Sequence, residues 1–232
     1  MFLKISFVWI SLFCAVYADS HYIARGSLVG GIADIKLHHR ETSETYTTRL
    51  VISATGLAKT LSGNQKEIHI SKGKVRHNEY YAGEYVVTKW HKNTKYLKRY
   101  LFDYLHKKIR KFSTKWKNGK QVYSKKETLR YFSHNDMLTL YHNILHFKKR
   151  HKRGKYAITL AGAENHGGKV TFGFANGQDM KGADTLTLDI NNSAFAKGKG
   201  RLLFEIGSDS SVITGELRGV KLLGTVTLKR LQ

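Results

Sequence analysis

The sequence contains no proline and only one cysteine, Cys14, among its 232 residues. A single cysteine excludes an internal disulfide and a cysteine-based zinc site. The missing prolines and the absence of biased repeats exclude collagen-like and low-complexity chains. Acidic residues are also scarce, because 17 Asp and Glu stand against 40 Lys and Arg. Hydrophobic residues, in contrast, make up 41% of the chain, which is enough for a sizeable core and excludes intrinsic disorder.

Residues 1–18 have the features of a cleaved secretory signal. Lys4 gives a short positive region, and residues 5–16 form an apolar run that is too short to span a bilayer. Val16 and Ala18 then supply the small side chains that a signal peptidase requires. We therefore expect export to the periplasm and removal of this segment.

The predicted mature chain starts at Asp19 and contains no cysteine. Cys14 does not indicate a lipoprotein, because Phe13 precedes it where a lipobox has Gly or Ala. With Lys4 removed, the formal charge is +22. An exported protein does not meet chromosomal DNA, so we expect no nucleic-acid partner for this charge. Phosphorylated lipid head groups, lipopolysaccharide, acidic glycans and acidic proteins remain as counter-ions, and a solvated surface of lysines with no particular partner is the alternative.

Most of the mature chain alternates between apolar and polar residues with a period of two, which is typical of strands with one buried face. Asn118 and Gly119 form a pair suited to a type I′ hairpin between two such strands. Since proline is absent, we expect glycine to supply the unusual turn conformations. The predicted strands cover residues 35–37, 49–53, 96–104, 109–116, 122–129, 156–160, 169–174, 185–190, 201–206, 211–217 and 224–230.

Residues 134–147 follow a helical period of 3.6 instead. Ser133 or Asn135 can cap the start, and Asp136 falls in the first turn. The apolar stripe consists of Met137, Leu138, Tyr141, Ile144 and Leu145. No linker or internal repeat divides the chain, so we predict a single antiparallel β domain over residues 19–232. About a dozen strands should curl into a barrel, half-barrel or spiral, with this one amphipathic helix packed against the concave face.

Five short stretches carry a family resemblance: GGIADIKL at 30–37, YTTRLVISATGL at 46–57, YLFDY at 100–104, DMLTLY at 136–141 and LLGTVTL at 222–228. In this order they resemble the bacterial exported family catalogued as domain of unknown function 3108. The resemblance covers nearly all of residues 22–232. It implies an exported antiparallel β domain with no assigned activity.

Two basic clusters are the candidate functional residues. Residues 89–130 contain fifteen Lys and Arg against Asp103 and Glu127, interleaved with aromatic residues. On alternating strands, one face could be aromatic and the other cationic, although such patterns also describe an ordinary core with a solvated face. The second cluster, residues 148–153, should lie in an exposed loop after the helix. Such a run of charges could equally be an ordinary solvated loop with no binding role. The candidate anion-binding residues are Lys98, Arg99, Lys107, Lys108, Arg110, Lys111, Lys148, Lys149, Arg150, Lys152 and Arg153.

The twelve histidines offer only a weak metal site. His142 and His146 share one helix face at i and i+4, but Asn143 stands where the hydrolytic zinc motif has glutamate. We expect that face, shared with Asn135 and Thr139, to point to water, and we expect no metal or other cofactor. His38 and His39 should point to opposite sides of a strand.

Hydrolytic chemistry finds little support in the sequence. There is no Gly-x-Ser-x-Gly elbow, no cysteine nucleophile in the mature chain and no phosphate-binding loop. We therefore predict a non-catalytic envelope protein that binds anionic lipids or glycans through its basic surfaces, with peripheral membrane contact. Two alternatives stay open: a carrier that encloses an apolar ligand such as an acyl chain, and a hydrolase.

Overall fold

The computed structural model describes residues 19–150, 154–163, 167–175, 184–191, 199–206, 212–220 and 223–231. Within these residues, one sheet of fourteen strands accompanies two helices. The elements are β1 (Ser20–Gly26), β2 (Gly30–Glu41), β3 (Thr45–Ala54), α1 (Gly56–Leu61), β4 (Lys66–Arg76), β5 (Glu79–His91), β6 (Thr94–Asp103), β7 (Lys108–Lys117), β8 (Lys120–Thr128), α2 (Met137–Arg150), β9 (Gly154–Thr159), β10 (Lys169–Ala175), β11 (Asp184–Asn191), β12 (Lys199–Ile206), β13 (Val212–Val220) and β14 (Gly224–Arg230).

The sheet is antiparallel throughout and is built from two meanders that meet in its middle. Strands β8 to β1 follow one another across one half, β14 to β9 follow one another across the other, and β1 pairs with β14. The edge strands are therefore β8 and β9, and α2 lies between them in the chain. This architecture confirms the prediction of a mainly β, curled antiparallel sheet with an amphipathic helix.

All of the strands predicted from the alternation are present, and the Asn118-Gly119 turn has both residues at positive φ, as a type I′ hairpin requires. Strands β1, β4 and β5 and the short helix α1 were not predicted. The expectation that glycine alone would supply unusual turn conformations is wrong, because His77, Asn78 and Lys92 also adopt positive φ.

The core lies on one face of the sheet, which we call the inner face. Cross-strand partners Tyr22 and Ile35, Ile35 and Ile52, and Leu37 and Leu50 are all fully buried there. Burial of each such side chain contributes roughly 1.5–3 kcal/mol. Because side chains alternate along a strand, the same register also fixes which polar residues point inward.

Helix α2 packs against the inner face at β4 and β5. Four members of the predicted stripe, Met137, Leu138, Tyr141 and Ile144, are buried. Leu145 lies outside the residues whose side chains are described. The helix starts at Met137, three residues later than predicted, because Asp136 serves as the cap. Within the described residues, neither helix has the length and apolar composition needed to cross a bilayer.

Asp136 connects the start of α2 to β4. One carboxylate oxygen accepts hydrogen bonds from the backbone N–H groups of Leu138 and Thr139, at 2.8 and 3.0 Å. The other oxygen accepts from Ser71 Oγ at 2.6 Å and Thr139 Oγ1 at 2.8 Å. Burial raises the pKa of Asp136, although these hydrogen bonds oppose the shift. The fully buried carboxyl group therefore fixes the helix against the sheet.

We expect Asp136→Ala to lower the free energy of unfolding by about 3 kcal/mol, because it removes the helix cap and the buried acceptor of two hydroxyls. Asp136→Asn keeps an oxygen for the cap and should lose about 1 kcal/mol. Urea denaturation of both variants tests this, and equal losses in the two would contradict the assigned capping role.

Candidate anion-binding site

The helix face that we expected to point to water is buried. His142 is 1% exposed, and Thr139 is fully buried. His142 Nε2 lies 2.8 Å from Thr48 Oγ1, and its ring stacks on Tyr80 with centroids 4.7 Å apart. The expectation fails because α2 sits inside a curved sheet, so that the side opposite its apolar stripe also meets strands.

His39 completes this aromatic cluster from β2, with its ring centroid 4.3 Å from that of His142. Its neighbour His38 instead contacts Asp19 on the other side of the strand, which confirms the predicted opposite orientations. No group of three potential metal ligands occurs among the residues that the structure describes. The side chain of His146, the second metal candidate, lies outside those residues.

A second polar cluster occupies the inner face of β4 and β5. Glu67 and His69 are both fully buried. The carboxylate of Glu67 lies 2.8 Å from Lys89 Nζ and 3.2 Å from His69 Nε2, and it also accepts a bond from Gln65. His69 Nδ1 lies 2.8 Å from the hydroxyl of Tyr85. Every polar group in this chain of contacts has a partner.

The pKa shifts follow from this arrangement. Burial alone would raise the pKa of Glu67, but Lys89 and the hydrogen bond from His69 outweigh it and lower the pKa to about 2. Burial lowers the pKa of His69, so the neutral ring donates from Nε2 to Glu67 and accepts at Nδ1 from Tyr85. Burial also lowers the pKa of Lys89, and Glu67 opposes that shift.

From this cluster, a row of lysines continues across the inner face to the edge of the sheet. The cross-strand register places Lys98 beside buried Val87, and Lys111 beside buried Tyr100. Because partners in register share a face, these side chains point inward. We call the row the basic strip; it consists of Lys89, Lys98, Lys111, Lys115 and Lys125.

Together with the two glutamates that pair with it, the basic strip has an excess of positive charge. Its five lysines meet two glutamates, Glu67 and Glu127, which leaves a net charge of +3. Glu127 lies 2.9 Å from Lys111 and 2.6 Å from Lys125, and the hydrogen bonds from these two lysines lower its pKa to about 2. Lys115 Nζ lies 5.2 Å from the ring centroid of Tyr96. The strip thus combines lysines with an aromatic ring, as anion and sugar sites do.

The outer end of the basic strip is open to solvent. Helix α2 covers β4 and β5, whereas nearly every residue of β8 is exposed. Tyr123, the cross-strand partner of Lys115, is 48% exposed. A ligand can therefore approach the strip from the β8 edge.

The other predicted cations of this region do not join the strip. Arg99 points to the opposite, outer face, where it pairs with Glu84. The register also places Lys108 and Arg110 on the outer face, and Lys107 lies in the β6–β7 turn. The five strand candidates from Lys98 to Lys111 are therefore divided between two faces, because neighbouring residues of a strand alternate.

The idea that one face is aromatic and the other cationic is wrong, since both faces are mixed. On the outer face, Lys95 Nζ lies 5.9 Å from the ring centroid of Trp90 and 5.1 Å from that of Trp116. These three residues line an open cleft of about 410 Å³, together with Lys92 and residues of the adjacent turns.

The second predicted cluster is only partly described. Helix α2 extends to Arg150, so Lys148, Lys149 and Arg150 belong to its last turn rather than to the expected loop. Basic residues at this end of a helix are favoured by its dipole. Their side chains, and the residues Lys152 and Arg153, lie outside the described part of the chain.

Sequence reasoning missed the buried polar residues of β4. A signal was present, because Glu67, His69 and Ser71 alternate with Ile68 and Ile70 in a strict period of two. The pattern defines a strand, but it suggests that the isoleucines point inward. The structure places the polar residues inside, where α2 and β5 supply their partners.

We expect Glu67→Gln to lower the free energy of unfolding at pH 7 by about 2–3 kcal/mol, because it leaves Lys89 without its buried counter-charge. The low pKa of Glu67 means that this stabilisation is present above the ordinary pKa of glutamate and declines as the pH falls from about 4.5 towards 2. The difference in the free energy of unfolding between the wild type and Glu67→Gln should therefore be smaller at pH 3 than at pH 7, as measured by urea denaturation. The control is Glu84→Gln, at the solvent-exposed pair with Arg99, which should lose less than about 1 kcal/mol. If the effect of Glu67→Gln on the free energy of unfolding does not change with pH, the assigned ion pair of Glu67 is contradicted.

Comparisons with known proteins identify the fold only. No protein-family model and no curated protein matches this chain. Among solved structures, the chain is similar to a β-barrel-like protein of the domain of unknown function DUF1849 from Brucella abortus. The two share 9% sequence identity and a TM-score of 0.54, over 92% of this chain and 95% of that chain. This likeness places the chain with an uncharacterised β-barrel-like fold.

Proposed function

We propose that this chain is an exported, non-catalytic protein that binds acidic components of the bacterial envelope through the basic strip. The single observation that carries the proposal is the alignment of five lysines on one face of β5 to β8, with a net charge of +3 and an open approach at β8. Export rests on the signal-like residues 1–18 and on the resemblance to family 3108.

The chemistry of the strip favours a ligand that carries both negative charge and a flat or apolar surface. Lysine ammonium groups attract phosphate or carboxylate oxygens. Tyr96 and Tyr123 lie beside these lysines and are partly exposed, so that their rings can contact a sugar. An acidic glycan, or the phosphorylated sugar of lipopolysaccharide, combines these two features.

The alternative of an apolar carrier receives less support. A carrier needs an apolar space between the helix and the concave face of the sheet. Beneath α2, however, Tyr46, Ser71 and Thr48 hydrogen-bond directly with helix side chains. The inner face under the helix is thus occupied by the protein's own polar contacts, whereas Lys98, Lys115 and Lys125 beyond it are partly or fully exposed and Lys111 is buried.

The test is a charge reversal on each face of the same hairpins. Lys98→Glu with Lys115→Glu alters the basic strip, and Arg110→Glu with Lys126→Glu makes the same change of net charge on the outer face. The probe is a fluorescently labelled oligogalacturonate, a soluble polymer of acidic sugars, titrated in 50 mM NaCl and followed by anisotropy. We expect the inner variant to weaken binding at least about tenfold, because each lost contact is worth about 1 kcal/mol, and the outer variant to weaken it less than about threefold.

Affinity for the wild-type chain should also decrease steeply as the salt concentration rises. Equal effects of the two double variants would show that only net charge matters and would refute the strip as a site. Binding that does not depend on salt would refute the electrostatic mechanism itself.

A further inference from the structure

One end of the β1–β8 meander gathers its turns into a continuous surface. In an antiparallel meander, successive turns alternate between the two ends of the sheet. The turns after β1, β3, β5 and β7 therefore share one end, which we call the turn end; it consists of residues 26–31, 54–66, 90–95 and 116–121.

Backbone hydrogen bonds connect these segments from one to the next. Thr55 N–H donates to the carbonyl of Ile32 at 3.0 Å, which joins the first two segments. Lys92 N–H donates to the carbonyl of Gly63 at 3.0 Å, and Asn118 N–H donates to that of Asn93 at 2.9 Å. The turn end is therefore one connected surface rather than four separate loops.

Exposed leucines are concentrated on this surface. Leu28 is 72% exposed, and Leu57 and Leu61 of α1 are 61% and 58% exposed. The α1 side chain that does pack inward is Ala58. Three large apolar side chains in water at one end of a sheet are a feature of surfaces that meet another apolar phase.

The charge of the turn end is of one sign. Its four segments contain six lysines and no aspartate or glutamate; the lysines are Lys59, Lys66, Lys92, Lys95, Lys117 and Lys120. Glu67 directly follows the second segment in the sequence, but its carboxylate is buried on the inner face. At the opposite end of the meander, every turn contains or adjoins an acid: Glu41, Glu44, Glu79 and Asp103. The two ends of the same sheet thus differ in charge.

Both tryptophans that follow the predicted signal segment, Trp90 and Trp116, also belong to the turn end. They flank Lys95 in the open cleft of about 410 Å³. Tryptophan is favoured at the boundary between lipid and water, because one part of its ring system is apolar and the N–H is polar.

We infer that the turn end docks on the surface of an anionic lipid bilayer. The leucines enter the boundary between head groups and acyl chains, the tryptophans lie at the head-group level, and the lysines pair with lipid phosphates. This surface is separate from the basic strip, which lies on the inner face. Docking there would hold the strip near the acidic components that we propose it binds.

The experiment uses the chain from Asp19 onward, which contains all of the described elements. Vesicles of 70% phosphatidylcholine and 30% phosphatidylglycerol are titrated into the protein, with pure phosphatidylcholine vesicles as the comparison. Because Trp90 and Trp116 are the tryptophans of this chain, a shift of the emission to shorter wavelength reports directly on the turn end. We expect the shift with anionic vesicles and little change with neutral ones.

The decisive variant is Leu28→Ser with Leu57→Ser and Leu61→Ser, which are exposed enough to leave the fold intact. We expect the lipid concentration at half saturation to rise at least tenfold, because the apolar contact is lost while the charge is unchanged. Leu105→Ser is the matched control, since Leu105 is 87% exposed but lies in the β6–β7 turn at the opposite end. Its binding should equal that of the wild type.

The two proposals can fail independently. The triple leucine variant should still bind oligogalacturonate normally, and Lys98→Glu with Lys115→Glu should retain the tryptophan shift with anionic vesicles. Vesicle binding that is lost in the lysine variant but kept in the leucine variant would overturn docking by the turn end. Unchanged tryptophan emission in saturating anionic vesicles would overturn it as well.

Discussion

The carboxyl group of Asp136 is the interaction on which the rest of this architecture depends. In the part of the chain that the structure describes, an open sheet of fourteen strands leaves a long concave face, and α2 packs against it at β4 and β5. The start of that helix is fixed by four hydrogen bonds to one buried carboxyl group, two from its own backbone and two from hydroxyls on either side of the interface. The same residue forms a bridge to Ala161, so it also relates the helix to the segment after β9. Buried groups of this kind are costly when a partner is missing, which makes the position of the helix specific.

The position of α2 divides the inner face into a closed part and an open part. Under the helix, Thr48 hydrogen-bonds with His142 and Ser71 with Asp136, away from water. Beyond it, Lys98 and Lys115 are partly exposed and Lys125 is exposed, whereas Lys111 is buried beside Glu127. Glu67 and Lys89 stand at the boundary, since the carboxylate is fully buried while the ammonium is partly exposed. The part of the inner face under α2 is closed to water and stabilises the fold. The part near β8 is more accessible to solvent and therefore better placed to meet a ligand.

Sequence patterns predicted the class of fold well, because alternation with a period of two has a direct physical cause in half-buried strands. The same patterns predicted the helix to within three residues and the Asn118-Gly119 hairpin. They predicted poorly which face of a helix or strand is buried. The polar face of α2 was expected in water, and β4 was not predicted at all. Both are buried, because Ser71 of β4 bonds with Asp136 and Thr139 while Thr48 of β3 bonds with His142. Long-range pairing of this kind is not encoded in the local order of residues. The basic cluster at residues 89–130 was found from its composition, yet only the register shows that Lys98 and Lys111 share a face that Arg99 and Arg110 do not.

The pairing of β1 with β14 joins strands that are separated by most of the chain. Strands β1 to β8 contact their neighbours in sequence, so that half of the sheet can assemble from local hairpins as soon as these strands are available. The free side of β1 then has no partner until β14, which follows the other described strands in the chain, arrives. During that interval a hydrogen-bonding edge lies exposed at what becomes the centre of the finished sheet, where association with another chain is a hazard. A chaperone that shields unpaired strand edges would therefore be expected to act on this protein between the formation of its first hairpins and the pairing of β1 with β14.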